Sequence, residues 1–146
     1  MSLTQHLSPD NFWKLNTDAA WHANQGVGGL GWIIRNEKRE IKKAGGQTIT
    51  DARDITYLEL MAIWLGIEAV VSSSSVSLII ESESLEAIHL IQGIQQNVTE
   101  ILWLVQDIKN FGERARLKRF QHVQRDGNSV AQEIANRAAD GLVEEN

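Results

Sequence analysis

The 146-residue chain has no cysteine. Disulfides and thiolate metal sites are therefore excluded, and the chain is compatible with a reducing compartment. No apolar run approaches the roughly 18 residues needed to span a membrane. The N-terminus, Met1 to Pro9, shows neither a basic segment nor the apolar stretch of a secretory signal. An intracellular protein of the cytoplasm or nucleus is the expectation. Basic charge is also scarce: the formal net charge is −5. Nucleic-acid contact, if it occurs, must come from a local basic patch or through bridging cations. There is no internal repeat and no second domain. What is present is a globular composition, 42% apolar with five tryptophans, and a length that suits one domain with a sizeable core. That domain is expected over residues 1–146, with its core at about 12–140.

One stretch organises the rest. Val76 to Ile80 is a short apolar run that reads as a buried strand. It stops in Glu81-Ser82-Glu83-Ser84, and Leu85, Ile88, Leu90 and Ile91 then begin a helical spacing. Acids at the mouth of a buried strand, with a helix leaving it, stand where open α/β sheets place their sites.

Before that stretch, Phe12 to Ala19 reads as a first strand that Asp18 closes, followed by a loop from Trp21 to Gly26. Val27 to Arg35 is a second strand whose glycines permit close backbone approach or a bulge. After a turn at Asn36-Glu37-Lys38, Arg39 to Thr48 is a third strand. A helix from about Ile55 to Val71, capped by Thr50 or Asp51, presents Ile55, Leu58, Ala62, Leu65 and Ala69 on one face, with Glu59 beside them. Ser72 to Ser75 is a loop. After the central strand a helix runs from about Ser84 to Gly93. Another begins at Asn97 or Thr99, turns Ile101, Leu102, Val105 and Ile108 inward, and ends near Gly112. Arg116 to Val123 is a fifth strand. A last helix, capped by Asn128 or Ser129, turns Val130, Ile134 and Ala138 inward, and Gly141 to Asn146 should fray. The order β-β-β-α-β-α-α-β-α implies an α/β fold. Its mixed five-stranded sheet has three strands in an antiparallel meander and later strands parallel to the first, flanked by helices.

Asp18 and Glu83 then end neighbouring strands, and Glu59 can lean over the same sheet edge. Each acid alone also reads as a turn, cap or solvated surface residue. Three converging carboxylates would repel one another, and hard divalent cations are the usual resolution. Trp13, Trp32, Trp64 and Trp103 fall on apolar stripes and read as core, leaving Trp21 as the exception; His22 and His89 read as structural. Lys109, Arg114, Arg116, Lys118, Arg119 and Arg125 form either a phosphate-tracking face or a solvated helix end and edge strand.

Five segments carry a resemblance in their order and spacing: Lys14-Leu15-Asn16-Thr17-Asp18-Ala19-Ala20, Gly28 to Arg35, Leu58-Glu59-Leu60-Met61-Ala62, Ile80 to Leu85, and Phe120 to Ala131. Together they resemble the type 1 ribonuclease H domain, in the reverse-transcriptase-like version of plant retroelement-derived proteins. The resemblance covers Trp13 to about Asp140. It implies a ribonuclease H-like fold and four carboxylates holding two divalent cations, Mg²⁺ or Mn²⁺. It also implies endonucleolytic cleavage of the RNA strand of an RNA/DNA hybrid, with RNA told from DNA by its 2′-hydroxyls. By position, the first acid is Asp18 and the second Glu59. The third falls on Glu83, where the family has Asp, and the fourth on Gln132, where the family again has Asp. The family's flexible-loop histidine falls on His122, and Asn128 falls on a polar position of the same loop. Trp21, Asn128 and Arg125 are candidate nucleic-acid contacts. Glu83 is one methylene longer than the family residue, and Glu81 could substitute for it; Gln132 offers a weak, uncharged oxygen ligand. The expectation is a hybrid ribonuclease of weakened activity. The alternative is a catalytically degenerate nucleic-acid-binding or protein-interaction module. With its net acidity, and too few residues between Gly93 and Asn97 for an extra basic helix, the chain is expected to bind hybrids weakly.

Overall fold

The computed structural model describes residues 12–71, 77–93 and 99–142. The N-terminal tail, the Ser72–Ser75 connection, the segment between Gly93 and Thr99, and the chain beyond Leu142 lie outside the described residues. Strands β1 (Phe12–His22), β2 (Val27–Asn36) and β3 (Ile41–Ile49) come first, followed by helix α1 (Ile55–Val71) and strand β4 (Ser77–Ser82). Helices α2 (Leu85–Gln92) and α3 (Thr99–Arg114), strand β5 (Leu117–His122) and helix α4 (Ser129–Ala139) complete the order. The sheet runs β3-β2-β1-β4-β5. The first three strands are antiparallel neighbours, and β4 and β5 lie parallel beside β1. This is the mixed five-stranded sheet expected from the order of elements.

β1 is longer than its sequence suggested. Asp18 does not close it, because β2 pairs with it as far as His22 opposite Val27. The intervening short 3₁₀ turn, Ala23–Gln25, ends at Gly26 in a left-handed conformation that glycine adopts without steric cost. Trp21 is accordingly a strand residue and not a loop residue. The sheet edge near Asp18 is set by β4, whose parallel pairing with β1 stops at Thr17 opposite Ser82.

The sheet is covered differently on its two sides. One face carries the main apolar core, where Leu15, Leu78 and Ile80 meet Leu60, Ile63 and Ile67 of α1 and Leu104 and Ile108 of α3. Each of these eight side chains is almost fully buried, a contribution of about 1.5–3 kcal/mol apiece before chain entropy is counted. The other face carries α4, which lies on β1, β2 and β3. Here the fit is backbone to backbone. A Cβ on Gly31 would stand 2.5 Å from the Ala131 carbonyl oxygen and 2.6 Å from the Ala135 nitrogen, and one on Gly29 would collide with the Ala135 and Ala139 backbone. The close approach expected of these glycines is thus made by α4. It explains why α4 faces the sheet with Ala131, Ala135, Ala138 and Ala139.

Several expected faces are corrected. In α4, Val130 is exposed and Ile134 only half-buried, because the sheet beneath admits nothing larger than alanine. In α3, Leu102 and Trp103 are exposed and Leu104 takes the buried position. At the start of α1, Asp54 accepts a hydrogen bond from the Thr56 N–H, the capping contact expected of Thr50 or Asp51. Ile55 lies at the surface. Among the described residues, no helix is long and apolar enough to cross a membrane.

Candidate functional site

The chain turns sharply where β4 ends, and two serines make the turn. Ser82 Oγ accepts from the Ser84 N–H at 3.0 Å, and Ser84 Oγ accepts from the Ala87 N–H at 3.1 Å, capping α2. Glu83 sits between them. One strand over, Asp18 lies just past the last β1–β4 pair, and Glu59 comes from the second turn of α1. All three carboxylates line one open groove of about 440 Å³, together with Trp21, His22, Thr56, Ser84, Glu86 and Arg125.

The three acids are not equivalent. Glu59 is 8% exposed, and its Oε1 is buried without a hydrogen-bond partner. Burial, and then the negative charges of Asp18 and Glu83, push its pKa up to about 9. Asp18 is raised to about 7, first by burial and then by Glu83, against the opposing effect of the Ala19 N–H and the Arg125 guanidinium. Glu83 is the satisfied member. Its Oε2 accepts from Asn128 Nδ2 at 3.0 Å and from Gln132 Nε2 at 2.7 Å, and its Oε1 lies 4.0 Å from an Arg125 nitrogen.

Beneath the acids runs a buried polar chain. Asn16 Nδ2 donates to Glu81 Oε1 at 3.0 Å and to Asn128 Oδ1 at 2.9 Å. Asn128 Nδ2 also donates to the Thr17 carbonyl at 2.8 Å. Glu81 is completed by Gln121 Nε2 at 2.6 Å and by Lys14 Nζ at 3.4 Å. Glu81 is therefore committed to partners on β1 and β5 and does not line the groove.

Residues 16–138 match the reverse transcriptase-like family. The chain belongs to that family. The fold of this ribonuclease H-like domain is shared with ribonuclease H1 of the halophilic archaeon Halobacterium salinarum, at a TM-score of 0.82 and 21% identity over 89% of this chain and 98% of that one. The N-terminal ribonuclease H domain of rv2228c from Mycobacterium tuberculosis superposes at a TM-score of 0.83, with 18% identity over 90% and 96% of the two chains. LC11-ribonuclease H1, obtained from compost by a metagenomic approach and solved in complex with an RNA/DNA hybrid, gives 0.79 and 21% over 88% and 97%. No curated protein sequence matches the chain.

The remaining expected positions of the ribonuclease H-like site fall as follows. Gln132 of α4 reaches Glu83, and its nitrogen also donates to the Arg125 carbonyl at 2.9 Å. Asn128 is nearly fully buried and makes no capping bond to α4; its side-chain oxygen, the atom that would cap, accepts from Asn16 instead. His122 is not on a flexible loop. It is the last residue of β5, paired with Ser82, and its Nε2 lies 3.0 Å from the Glu83 carbonyl oxygen. Trp21 donates its indole N–H to the Ala52 carbonyl at 3.2 Å and packs against the cluster of Ala19, Leu30, Ala52, Leu58 and Ala62, which fixes it as a wall of the groove. Among the described basic side chains between 109 and 125, Arg125 lines the groove. Arg119 is tied to Gln121, and Arg114 lies over the Phe111 ring.

Sequence reasoning missed Asn16 as a site residue, although the two-residue period of β1 put it on the face of Asp18. It also left His22 without a partner. Its Nε2 lies 2.9 Å from Asp140 Oδ1, a pairing between chain ends that no local pattern signals.

Proposed function

We propose that this domain is a metal-dependent hydrolase of the RNA strand of RNA/DNA hybrids, slower than a relative with four acids. The observation that carries the reading is the unpartnered, buried Oε1 of Glu59 beside Asp18 and Glu83. Burying a carboxylate oxygen with no donor costs several kcal/mol, and a site that holds one among two further acids is suited to a cation. As they stand, no three His, Asp or Glu side chains among the described residues are close enough to enclose an ion. The donor set fits Mg²⁺ or Mn²⁺ in charge and oxygen chemistry: Asp18, Glu59 and Glu83 would hold it. When bound, such a cation supplies charge stabilisation at the phosphate and a more acidic water.

The chain's own residues set the rest. Arg125, at the groove mouth and mostly solvent-exposed, is free to meet a phosphate oxygen. The Trp21 wall and the capped start of α2 limit where a backbone can lie. Hydrolysis joins the water oxygen to phosphorus and breaks the bond to the 3′-oxygen, which leaves with a proton. The fold shared with a protein crystallised on an RNA/DNA hybrid supports the substrate class.

A second reading, a nucleic-acid-binding module without turnover, is favoured by one observation: Gln132 gives the site an N–H donor where a fourth acid would stand. Cleavage of an end-labelled hybrid in Mg²⁺ and Mn²⁺, with Asp18→Asn as control, separates the two. Cation-dependent cleavage that Asp18→Asn abolishes supports the first. Hybrid binding in EDTA with no cleavage in either cation supports the second.

A further inference from the structure

Resting on the reading of the groove as a hybrid site, we propose that a single-stranded extension of a bound RNA/DNA hybrid is held outside the groove by Arg35, Lys14 and Arg119, on the part of the sheet that α4 leaves open. These three stand in one cross-strand row. Arg35 of β2 is the register partner of Lys14 of β1, Lys14 of Ile79 of β4, and Ile79 of Arg119 of β5. Partners in register point to the same side of a sheet, and the contacts of the next row fix that side. Lys14 Nζ lies 3.4 Å from Glu81 Oε2, Gln121 Nε2 donates to the same oxygen at 2.6 Å, and Arg119 Nε donates to Gln121 Oε1 at 2.8 Å. α4 lies on this side but runs away from the row. It starts at Ser129, meets Gly31 with Ala131 and Ala135, and meets Gly29 with Ala135 and Ala139. Arg35 lies beyond Gly31 in the opposite direction.

Guarding a sheet edge accounts for only one of the three. Basic side chains often blunt edge strands, and Arg119 is on edge strand β5. Lys14 and Arg35 are on interior strands, where like charges directly opposite each other are destabilising. Arg35 has no ion pair or side-chain hydrogen bond among the described residues. Glu81, in the adjoining row, is shared between Asn16, Gln121 and Lys14, so Arg35 and Arg119 stay unbalanced. Ile79 lies between the cations, 5% exposed and outside both apolar clusters. Its register partners Lys14 and Arg119 are placed to lay their aliphatic stems across it, which steadies their charged ends. The row crosses three strand gaps, about 14 Å. In a chain of net charge −5, such a line of positive charge suits a linear polyanion. Its position selects a nucleic-acid strand over an acidic peptide. Arg125, at the groove mouth, follows β5 in the chain, and Arg119 lies about 10 Å back along that strand from its end at His122. A strand leaving the groove past Arg125 is thus led down β5 to Arg119 and across to Lys14 and Arg35.

The test is hybrid binding by the full chain in EDTA at low salt, read by fluorescence anisotropy. A blunt hybrid is compared with the same hybrid carrying a single-stranded extension of roughly ten nucleotides, as DNA or RNA, at either end. At least one extension should tighten binding by about fivefold or more and steepen its salt dependence. The double variant Arg35→Gln with Arg119→Gln should lose that gain while binding the blunt hybrid as wild type does. Its salt slope on the extended hybrid should be shallower by about 0.7 for each cation removed. Arg35→Lys with Arg119→Lys should keep the gain, and circular dichroism confirms the fold of both variants. No gain from any extension in wild type overturns the proposal, as does a gain that survives in the Gln variant. Binding of a glutamate-rich peptide that the Gln variant loses, with no gain from any extension, overturns it in favour of an acidic protein partner. A wild type that shows the gain yet cleaves no hybrid in Mg²⁺ or Mn²⁺ supports the cationic row and refutes the hydrolase reading instead.

Discussion

The Gln132 amide on α4 and the Glu83 carboxylate just past the end of β4 are joined by a 2.7 Å hydrogen bond. Glu83 and Gln132, the two positions at which the resemblance implies Asp, therefore act as one unit. The additional methylene of Glu83 carries its carboxylate to the two amides that hold it, and Gln132 is neutral where an acid would repel it.

Shortening Glu83 alone should accordingly be harmful. Glu83→Asp withdraws the carboxylate from Gln132 and Asn128 and leaves Gln132 bonded only to the Arg125 carbonyl. The expected outcome is Mn²⁺ binding about tenfold weaker by calorimetry, roughly the loss of one charge-assisted hydrogen bond. Adding Gln132→Asp, which gives Asp at both positions where the resemblance implies it, should recover or exceed wild-type affinity and raise the rate of hybrid cleavage. Additive losses in the double variant would show that the two positions are not coupled.

The raised acids make stability depend on pH. Asp18 and Glu59 hold protons in the folded chain up to about 7 and about 9, whereas unfolded carboxylates release theirs near 4. Between those limits the native state binds more protons than the unfolded one, so stability falls as pH rises. Urea midpoints in EDTA should therefore decrease from pH 5.5 to pH 9. Glu59→Gln should flatten the upper part of that slope. Millimolar Mg²⁺ should raise the midpoint more at pH 9 than at pH 5.5, because protons and cations compete for the same oxygens.

Asn128 joins the site to the sheet, and its loss should be felt in both. Asn128→Ala strips a donor from Glu83 and from the Thr17 carbonyl, and an acceptor from Asn16. Leaving buried polar groups unmatched costs about 1–3 kcal/mol, visible as a lower urea midpoint. The same variant should weaken Mn²⁺ binding. A change confined to stability would restrict Asn128 to a structural role.

The seat of α4 gives a further check. Gly31→Ala places a methyl group within about 2.5 Å of the α4 backbone, and neither backbone can yield by changing a rotamer. Destabilisation of about 2–3 kcal/mol is expected, a drop in Tm of the order of 10 °C. Gly26→Ala, where an added Cβ meets nothing but the backbone angle is strained, should cost less, about 1 kcal/mol.

Much of the fold was legible in the sequence because it rests on local signals. The apolar run of β4, the start near Ser84 and the Gly93 stop of α2, and the three- and four-residue spacing of α1 each mark an element without knowledge of its neighbours. Errors arose where the neighbour decides. The inward face of α4 follows its alanines and not its larger apolar residues, because glycines some hundred positions earlier removed the space. β1 runs past Asp18 because β2 pairs with it. In the site, the three carboxylates and Arg125 could be singled out one by one. That Glu81 is spent on Asn16 and Gln121, and that Gln132 turns its nitrogen inward, are properties of pairs distant in sequence, with no trace in spacing or composition.

The contact of α4 with the glycines of β2 has a consequence for reading substitutions at position 132. Where two elements meet through a layer of side chains, a change on one can be absorbed by repacking, and the element shifts. Here main chain rests on main chain, so α4 has no cushion and nearly one possible height above the sheet. Whatever side chain stands at 132 is delivered to Glu83 from a fixed base. This makes α4 a rigid mount, on which a single substitution changes the chemistry facing Glu83 and leaves the approach unaltered.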